Sequence, residues 1–175
     1  MRRILILGSA GSGKSTLARQ LGALLNLEVI HLDFYWWQEG WRPAPRDLWL
    51  EKVFEFIKLD SWIMDGNYLQ TLPLRLEAAD TVIFLDFPRS LCLWRVIKRR
   101  FEYRGKSRPD MAPGCPEKID WEFLKWIWRF PKVNKPWIME LLELKGDGKQ
   151  IFILKNSKQV AEFVEKISSH GRKFT

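Results

Sequence analysis

The chain has 175 residues, 46% hydrophobic and 29% charged, and its Lys and Arg outnumber its Asp and Glu by 29 to 21, so we expect a globular protein with anionic partners. No run approaches the roughly 18 consecutive apolar residues that span a bilayer, and the separated Cys92 and Cys115 indicate neither a zinc site nor a disulfide framework. We therefore expect one soluble, cytoplasmic domain over residues 1–175, without a membrane partner.

Five short apolar runs predict β-strands, because their unbroken, β-branched character suits strands buried on both faces of a parallel sheet. In chain order they are residues 4–7, 29–32, 62–64, 82–85 and 151–154. Apolar residues at helical spacing follow the first, fourth and fifth runs and precede the third. The alternation predicts an α/β fold with a central parallel sheet and helices on both faces. Residues 34–45 and 105–117, rich in Pro or Gly, are predicted to be loops.

The first predicted strand is followed directly by the pattern GxxxxGK[ST] and then by a helix. In such a loop the backbone N–H groups surround phosphates, Lys14 reaches the β- and γ-phosphates, and Ser15 offers its hydroxyl to Mg²⁺. The strand–loop–helix context argues against a simple Gly- and Ser-rich turn, and the lack of an NKxD guanine-reading motif argues against a G protein. The predicted ATP-binding residues of the loop are Gly8, Ser9, Ala10, Gly11, Ser12, Gly13, Lys14, Ser15 and Thr16.

Three predicted strands end in aspartate, at Asp33, Asp65 and Asp86. In a parallel sheet these carboxylates emerge at the edge that carries the phosphate loop, where acids hold Mg²⁺ or accept a proton from an attacking hydroxyl. Asp65 is predicted to contact metal, together with Ser15, or substrate. For Asp33 both a catalytic and a capping role stay open, and Asp86 is interpreted as a cap. His31, within the second predicted strand, is interpreted as a core residue.

Basic residues concentrate between positions 95 and 108. Arg95 and Arg99 are four residues apart and share a helix face, and Arg104 and Arg108 continue into the following loop. Arginines on a closing lid stabilise the charge of a transferring phosphoryl group. The alternatives are a solvated basic helix or a surface for a nucleic-acid backbone. Beside a phosphate loop, the lid is the favoured interpretation.

The order of these motifs resembles the adenylate-kinase-like branch of P-loop kinases across nearly the whole chain. The runs WIMDGNY, LDFPRSLCLWRVIKRR and SRPDMAPGCPEKID are similar to the bacterial topology modulation (FlaR-like) family. The resemblance implies a three-layer P-loop NTPase fold with strand order 2-3-1-4-5 and Mg²⁺-ATP as phosphate donor. It also implies a segment of about 34–60 that covers the acceptor, a small lid at about 104–120, and contacts from Arg95 and Arg99 to adenine and phosphates.

The resemblance also bears on the acceptor. Asp65 and Gly66 match the DG of the adenylate kinase DGFPR run, but Leu69 stands where that run has its arginine. Asp33 lies where shikimate and gluconate kinases place an acid that meets a hydroxyl substrate. A nucleotide, a nucleoside or another hydroxyl-bearing metabolite stays open as acceptor. The predicted acceptor-binding residues are Asp33, Trp36, Arg46, Asp65, Gly66, Asn67 and Tyr68.

The leading hypothesis is a Mg²⁺-ATP-dependent kinase for a small acceptor. Its predicted catalytic residues are Lys14, Asp33, Arg99, Arg104 and Arg108. One alternative is a nucleic-acid-binding ATPase linked to DNA topology, in which the basic lid contacts the phosphate backbone. Another is an ATP-binding regulator without turnover. The sequence leaves the acceptor and the oligomeric state open.

Overall fold

The computed structural model describes residues 1–106 and 108–171. Ser107, in the predicted lid, and positions 172–175, at the end of the predicted domain, lie outside the described residues. Within them the strands are β1 (Arg3–Gly8), β2 (Val29–His31), β3 (Trp37–Gln38), β4 (Arg42–Pro43), β5 (Trp62–Asp65), β6 (Thr81–Leu85) and β7 (Gln150–Leu154). The helices are α1 (Lys14–Leu25), α2 (Leu32–Trp36), α3 (Arg46–Ile57), α4 (Leu72–Ala78), α5 (Arg89–Glu102), α6 (Trp121–Lys145) and α7 (Ser157–Gly171).

Five strands form one parallel sheet in the order β2-β5-β1-β6-β7. Strands β3 and β4 form a separate antiparallel hairpin. When the five strands of the parallel sheet alone are numbered along the chain, their order is 2-3-1-4-5, which confirms the predicted fold. The register places Ile6 beside Asp65 and Asp65 beside His31. The loop after β1 and the polar ends of β2 and β5 therefore meet at one edge of the sheet.

Two apolar cores cover the two faces of the sheet. Leu5 and Leu7 of β1 enter one core and Ile4 and Ile6 enter the other, as the alternation of side chains along a strand requires. The first core draws mainly on α3, α4 and α6, and the second on α1, α5 and α7. Burial of β1 on both faces explains its unbroken apolar sequence and fixes the strand that carries the phosphate loop.

The main departures from the sequence prediction lie on the acceptor side of the fold. β2 ends at His31 because Leu32 begins α2, so Asp33 lies in the first turn of a helix rather than at a strand end. The predicted loop 34–45 contains the end of α2 and the hairpin β3–β4, which the sequence did not indicate. Residues 105–117 contain neither helix nor strand where they are described. Helix α4 has no counterpart among the predicted helices.

The longest helix, α6, has 25 residues and contains Pro131 and Pro136. The side chain of Asp120 caps its start by accepting a hydrogen bond from the Phe123 backbone N–H at 2.8 Å. Its buried side contributes Ile127 and Phe130, among others, to the cores. Neither α6 nor any other helix in the described ranges is both long enough and apolar enough to cross a membrane.

Candidate active site

The phosphate loop is a tight backbone turn between β1 and α1. Gly11 (φ 77°) and Gly13 (φ 98°) adopt backbone angles that favour glycine. At Gly11 the requirement is also steric, because a Cβ there would lie 2.3 Å from the carbonyl oxygen of Cys92 in α5. Gly13 leads directly into Lys14, the first residue of α1. The loop is therefore held against α5 and ends at a helix N-terminus, which favours anions.

A cleft of about 800 Å³ opens over this loop. It is lined by the phosphate loop and α1, by α2, the hairpin and the loop after β5, and by α5, residues 108–118 and the start of α6. The predicted site residues that line the cleft are Ala10, Gly11, Gly13, Lys14, Ser15, Thr16, Asp33, Asp65, Gly66, Asn67, Tyr68, Arg95, Arg99 and Arg108. A second cavity of about 700 Å³ shares Gly13, Thr16 and Arg95 with it and is bordered by α1 and α7.

Several predicted site residues do not line the cleft. Trp36 packs into the core, with its ring centroid 5.3 Å from that of Trp49 and 5.6 Å from that of Tyr68. Arg46 is exposed at the start of α3, and Arg104 is exposed beyond the end of α5. The structure therefore does not support the direct contacts predicted for Trp36, Arg46 and Arg104. Three residues of the phosphate loop are buried beneath its surface: Gly8, Ser9 and Ser12.

Ser15 and Asp65 meet where β5 reaches the phosphate loop. The Ser15 hydroxyl donates to Asp65 Oδ2 at 2.7 Å, and Asp65 Oδ1 lies 2.5 Å from His31 Nδ1. Burial of the His31 ring lowers its pKa, but the hydrogen bond and the charge of Asp65 outweigh burial, so the pKa is raised. His31, interpreted from the sequence as a core residue, instead holds the carboxylate of Asp65.

This corner has the donor chemistry that Mg²⁺ requires, because the hydroxyl of Ser15 and the carboxylate of Asp65 are oxygen ligands beside a phosphate loop. Within the described part of the chain, no group of three or more His, Cys, Asp or Glu side chains is arranged to hold a metal ion. Mg²⁺ commonly takes one or two protein oxygens and completes its shell with phosphate oxygens and water. The residues therefore fit a Mg²⁺ shared with a nucleotide.

Asp33 and Lys14 form the polar centre of the cleft. The Tyr68 hydroxyl donates to Asp33 Oδ1 at 2.6 Å. Burial raises the pKa of Asp33, and the hydrogen bond from Tyr68 and the charge of Lys14 only partly oppose that effect. Lys14 Nζ donates to the Ser9 carbonyl at 3.0 Å, and burial lowers the pKa of its ammonium. The raised pKa makes Asp33 a stronger base than an exposed aspartate.

Glu117 joins two arginines of the cleft, although the sequence did not single it out. Its Oε1 lies 2.8 Å from Arg99 Nε and its Oε2 lies 2.8 Å from Arg108 Nε. Arg108 Nη1 also donates to Asp110 Oδ2 at 3.0 Å. The Glu117 side chain is only 1% exposed, so both ion pairs are needed to keep this carboxylate in the interior. The arginines are thereby held in one orientation.

Arg75 and Asn67 hold the loop after β5 in place. Arg75 is fully buried and donates to the carbonyl oxygens of Gly66 (3.1 Å), Asn67 and Tyr68 (3.1 Å). Burial lowers its pKa to about 9. The Asn67 side chain accepts from Gly8 N at 3.1 Å and donates to Gly8 O at 2.9 Å. Asn67, predicted to bind substrate, thus uses its amide to connect this loop to the phosphate loop.

The hairpin β3–β4 (residues 37–43) and residues 108–118 are joined into one cover over the cleft, here named the cap. Three hydrogen bonds connect them, from Cys115 Sγ to Gln38 O (3.1 Å), from Gly40 N to Gly114 O (3.0 Å) and from Trp41 Nε1 to Pro116 O (3.0 Å). Met111, Ala112 and Cys115 also form a small core against Trp37 and Trp41. The acceptor-covering segment and the lid were predicted as separate segments, but these hydrogen bonds and this small core, together named the joint of the cap, connect them.

No protein-family model and no curated protein sequence matches the chain. The solved structures similar to it include two shikimate kinases, one from Acinetobacter baumannii in complex with shikimate (18% identity, TM-score 0.57, 95% of this chain and 90% of that chain) and one from Bacteroides thetaiotaomicron (17% identity, TM-score 0.52, 97% and 97%). They also include a gluconokinase from Sinorhizobium meliloti 1021 (16% identity, TM-score 0.54, 99% of this chain and 93% of that chain). At these identities the likeness concerns the fold alone. The chain has the fold of the P-loop kinases.

Proposed function

We propose that this chain is a Mg²⁺-ATP-dependent kinase that transfers the γ-phosphoryl group of ATP to a hydroxyl group of a small molecule. The observation that carries the proposal is the 2.7 Å contact of Ser15 with Asp65, in a cleft that also contains Lys14, Asp33 and Arg108. P-loop enzymes use a serine and an aspartate for Mg²⁺ and a lysine for the phosphates. The P-loop kinase fold of the chain is consistent with this proposal.

The donor nucleotide fits the phosphate loop and the space beside Arg95. Backbone N–H groups and the N-terminus of α1 favour its phosphates, and Lys14 can exchange its bond to the Ser9 carbonyl for a phosphate oxygen. Arg95 lines both cavities, and its Nη2 donates to Ser157 Oγ at 3.0 Å. A planar guanidinium in this position is suited to the base of the nucleotide, in agreement with the role that the family resemblance implies.

In the proposed reaction Asp33 accepts the proton of the acceptor hydroxyl. The hydroxyl oxygen forms a bond to the γ-phosphorus while the bond from that phosphorus to the β,γ-bridging oxygen breaks, which yields ADP and the phosphorylated acceptor. Lys14, Arg99 and Arg108 stabilise the charge on the transferring group. Ser15 and Asp65 would hold Mg²⁺, which would neutralise part of the charge on the phosphates of ATP.

Two substitutions test the proposal. Lys14→Ala is expected to abolish ATP binding and turnover, whereas Arg108→Ala is expected to leave ATP binding largely intact and to lower turnover by on the order of a hundredfold. Titration calorimetry measures binding, and mass analysis of products from a panel of small hydroxyl compounds measures transfer. Lys132→Ala, an exposed position on α6, is the control. Thermal unfolding checks that each variant is folded, and equal activity in the Lys14 and Arg108 variants would contradict the assignment.

We further propose, from the runs WIMDGNY, LDFPRSLCLWRVIKRR and SRPDMAPGCPEKID, that the chain is related to the topology modulation (FlaR-like) family.

A second candidate function, nucleic-acid binding, is favoured by Arg104 and Lys106, which are exposed outside the cleft. Binding to a phosphate backbone weakens steeply from low to physiological salt. A lack of DNA binding at low salt would exclude this candidate.

A further inference from the structure

One part of the cleft lining consists of residues without positive charge. The residues of α2, the hairpin and the loop after β5 that line the cleft, here named the acceptor wall, are Asp33, Trp37, Trp41, Asp65, Gly66, Asn67 and Tyr68. This set contains two carboxylates and no lysine or arginine. Along the acceptor wall, an acceptor that approaches Asp33 meets acidic and aromatic side chains, while the cations that act on Asp33, Lys14 and Arg108, belong to the phosphate loop and to residues 108–118.

The basic residues near the acceptor wall are directed elsewhere. Arg42 and Arg46 are exposed and do not line the cleft, and Arg42 Nε donates to the Glu39 carbonyl at 3.2 Å. Arg75 lies beneath the loop after β5, but its guanidinium is buried and bonded to backbone carbonyls. None of these three arginines therefore lines the acceptor wall in this structure.

Two basic residues of the segment 108–118 line the cleft, Arg108 and Lys118. Arg108 is ion-paired with Glu117 and Asp110, whereas Lys118 is exposed and its ammonium lies 5.4 Å from the centroid of the Trp41 ring. Arg19 also lines the cleft and lies four residues after Ser15 on α1, so it shares the helix face of the proposed metal site. Its side chain is exposed, and it is the position to test as an alternative anion contact.

We infer that the acceptor carries no negative charge and is an uncharged hydroxyl compound with a flat ring face, such as a nucleoside or a neutral sugar. The inference rests on the proposed kinase function. A phosphate or carboxylate on the acceptor would approach Asp33 and Asp65, and no residue of the acceptor wall supplies a matching cation. The rings of Trp37 and Trp41, with centroids 5.4 Å apart, offer apolar faces on which a base or sugar ring can stack.

The test compares matched pairs of acceptors that differ in one anionic group, using the full chain with Mg²⁺-ATP. Suitable pairs are nucleosides with their monophosphates and neutral sugars with the corresponding sugar acids. We expect the neutral member to have a kcat/KM at least about tenfold higher in each pair that accepts phosphate. The nucleoside and sugar arms of the panel distinguish the two sources of a flat ring.

Arg19→Ala serves as the second measurement, because this substitution removes the exposed cation and leaves the acceptor wall unchanged. The preference for neutral acceptors is expected to be the same in this variant. Equal or faster transfer to the acid members, or acid transfer that depends on Arg19, overturns the inference and leaves the kinase proposal intact. Transfer to no compound in either half of the panel, by protein that binds ATP, counts against the kinase proposal itself.

Discussion

The phosphate loop and the cap border the same cleft, but different kinds of contact hold them. Residues 8–16 are consecutive, and their shape follows from their glycines and from the flanking β1 and α1. The hydrogen bonds within the cap instead connect residues far apart in the chain: Trp41 and Pro116 differ by 75 in residue number, and Gln38 and Cys115 by 77. A local motif can therefore specify the donor side of the cleft, whereas only the tertiary fold assembles the acceptor side.

The two regions are also connected to one another. Pro116, whose carbonyl accepts the hydrogen bond from Trp41, directly precedes Glu117, and Glu117 holds Arg99 and Arg108. The hairpin that borders the acceptor wall is therefore linked through two adjacent residues to the arginines proposed to act on the phosphate. Substitutions in the phosphate loop, at Glu117 and in the cap therefore test whether the two regions behave independently.

The largest effect is expected from Gly11→Ala in the phosphate loop. The methyl group would meet the Cys92 carbonyl at 2.3 Å at a positive φ, so we expect the free energy of unfolding to fall by about 3 kcal/mol and ATP binding to be lost. Thermal and denaturant unfolding, with ATP titration, provide the measurement. Gly148→Ala is a matched control, because Gly148 has φ 74° but no atom within 4 Å of the added carbon. Equal losses in both variants would show that contact with α5 does not shape the loop.

Glu117→Gln is expected to have the next largest effect. Loss of the buried charge frees Arg99, which is proposed to contact both ATP and the transferring phosphoryl group, so we expect ATP affinity to fall by about tenfold while ADP affinity changes little. The ratio of the two dissociation constants is the measurement, because general destabilisation would not change it selectively. Glu102→Gln is the control, since Glu102 lines the same cleft but forms an exposed pair with Lys98 at 3.5 Å. An unchanged ratio in the Glu117 variant would exclude a positioning role.

The sequence predicted the parts of the molecule that depend on neighbouring residues. The phosphate loop and the central strands follow from a contiguous motif and from unbroken apolar runs, and the structure has the sheet order that the family resemblance implied. Asp33 was predicted at a strand end and lies in α2, yet it still lines the cleft because both settings follow β2 directly. A small error in an element boundary did not move this side chain out of the site.

The sequence could not indicate residues whose role depends on distant partners. Glu117 lies in a loop without periodicity, and its importance comes from Arg99 in another element. Arg75 resembles an ordinary surface arginine until α4 places it beneath the loop after β5. Helix α6 was also hard to extend from sequence, because Pro131 and Pro136 normally interrupt helices.

Tyr68→Phe is expected to have a smaller effect, a shift in the pH dependence of turnover. The Tyr68 hydroxyl stabilises the ionised Asp33, whose pKa burial already raises, so loss of this hydrogen bond raises the pKa further. Since the proposed base acts as a carboxylate, turnover declines as the pH falls through this pKa, and the acidic limb should move to higher pH in the variant. A kcat–pH profile with the best acceptor of the panel measures the shift. Tyr35→Phe, on α2 and exposed, is the control, and coincident acidic limbs would argue against Asp33 as the base.

The smallest effect, and the most direct comparison of the two regions, is expected from Trp41→Phe. This substitution removes the hydrogen bond to the Pro116 carbonyl but keeps an aromatic ring beside Trp37, so the joint should weaken by about 1 kcal/mol. Hydrogen exchange should then be faster at the Gly40 amide, which is bonded to Gly114, and unchanged at the Leu17 amide, which is bonded to Gly13. Trp137→Phe on α6 should leave both amides unaffected. Equal acceleration at Gly40 and Leu17 would mean that cap and loop open as one unit, because a local joint can protect only its own amides.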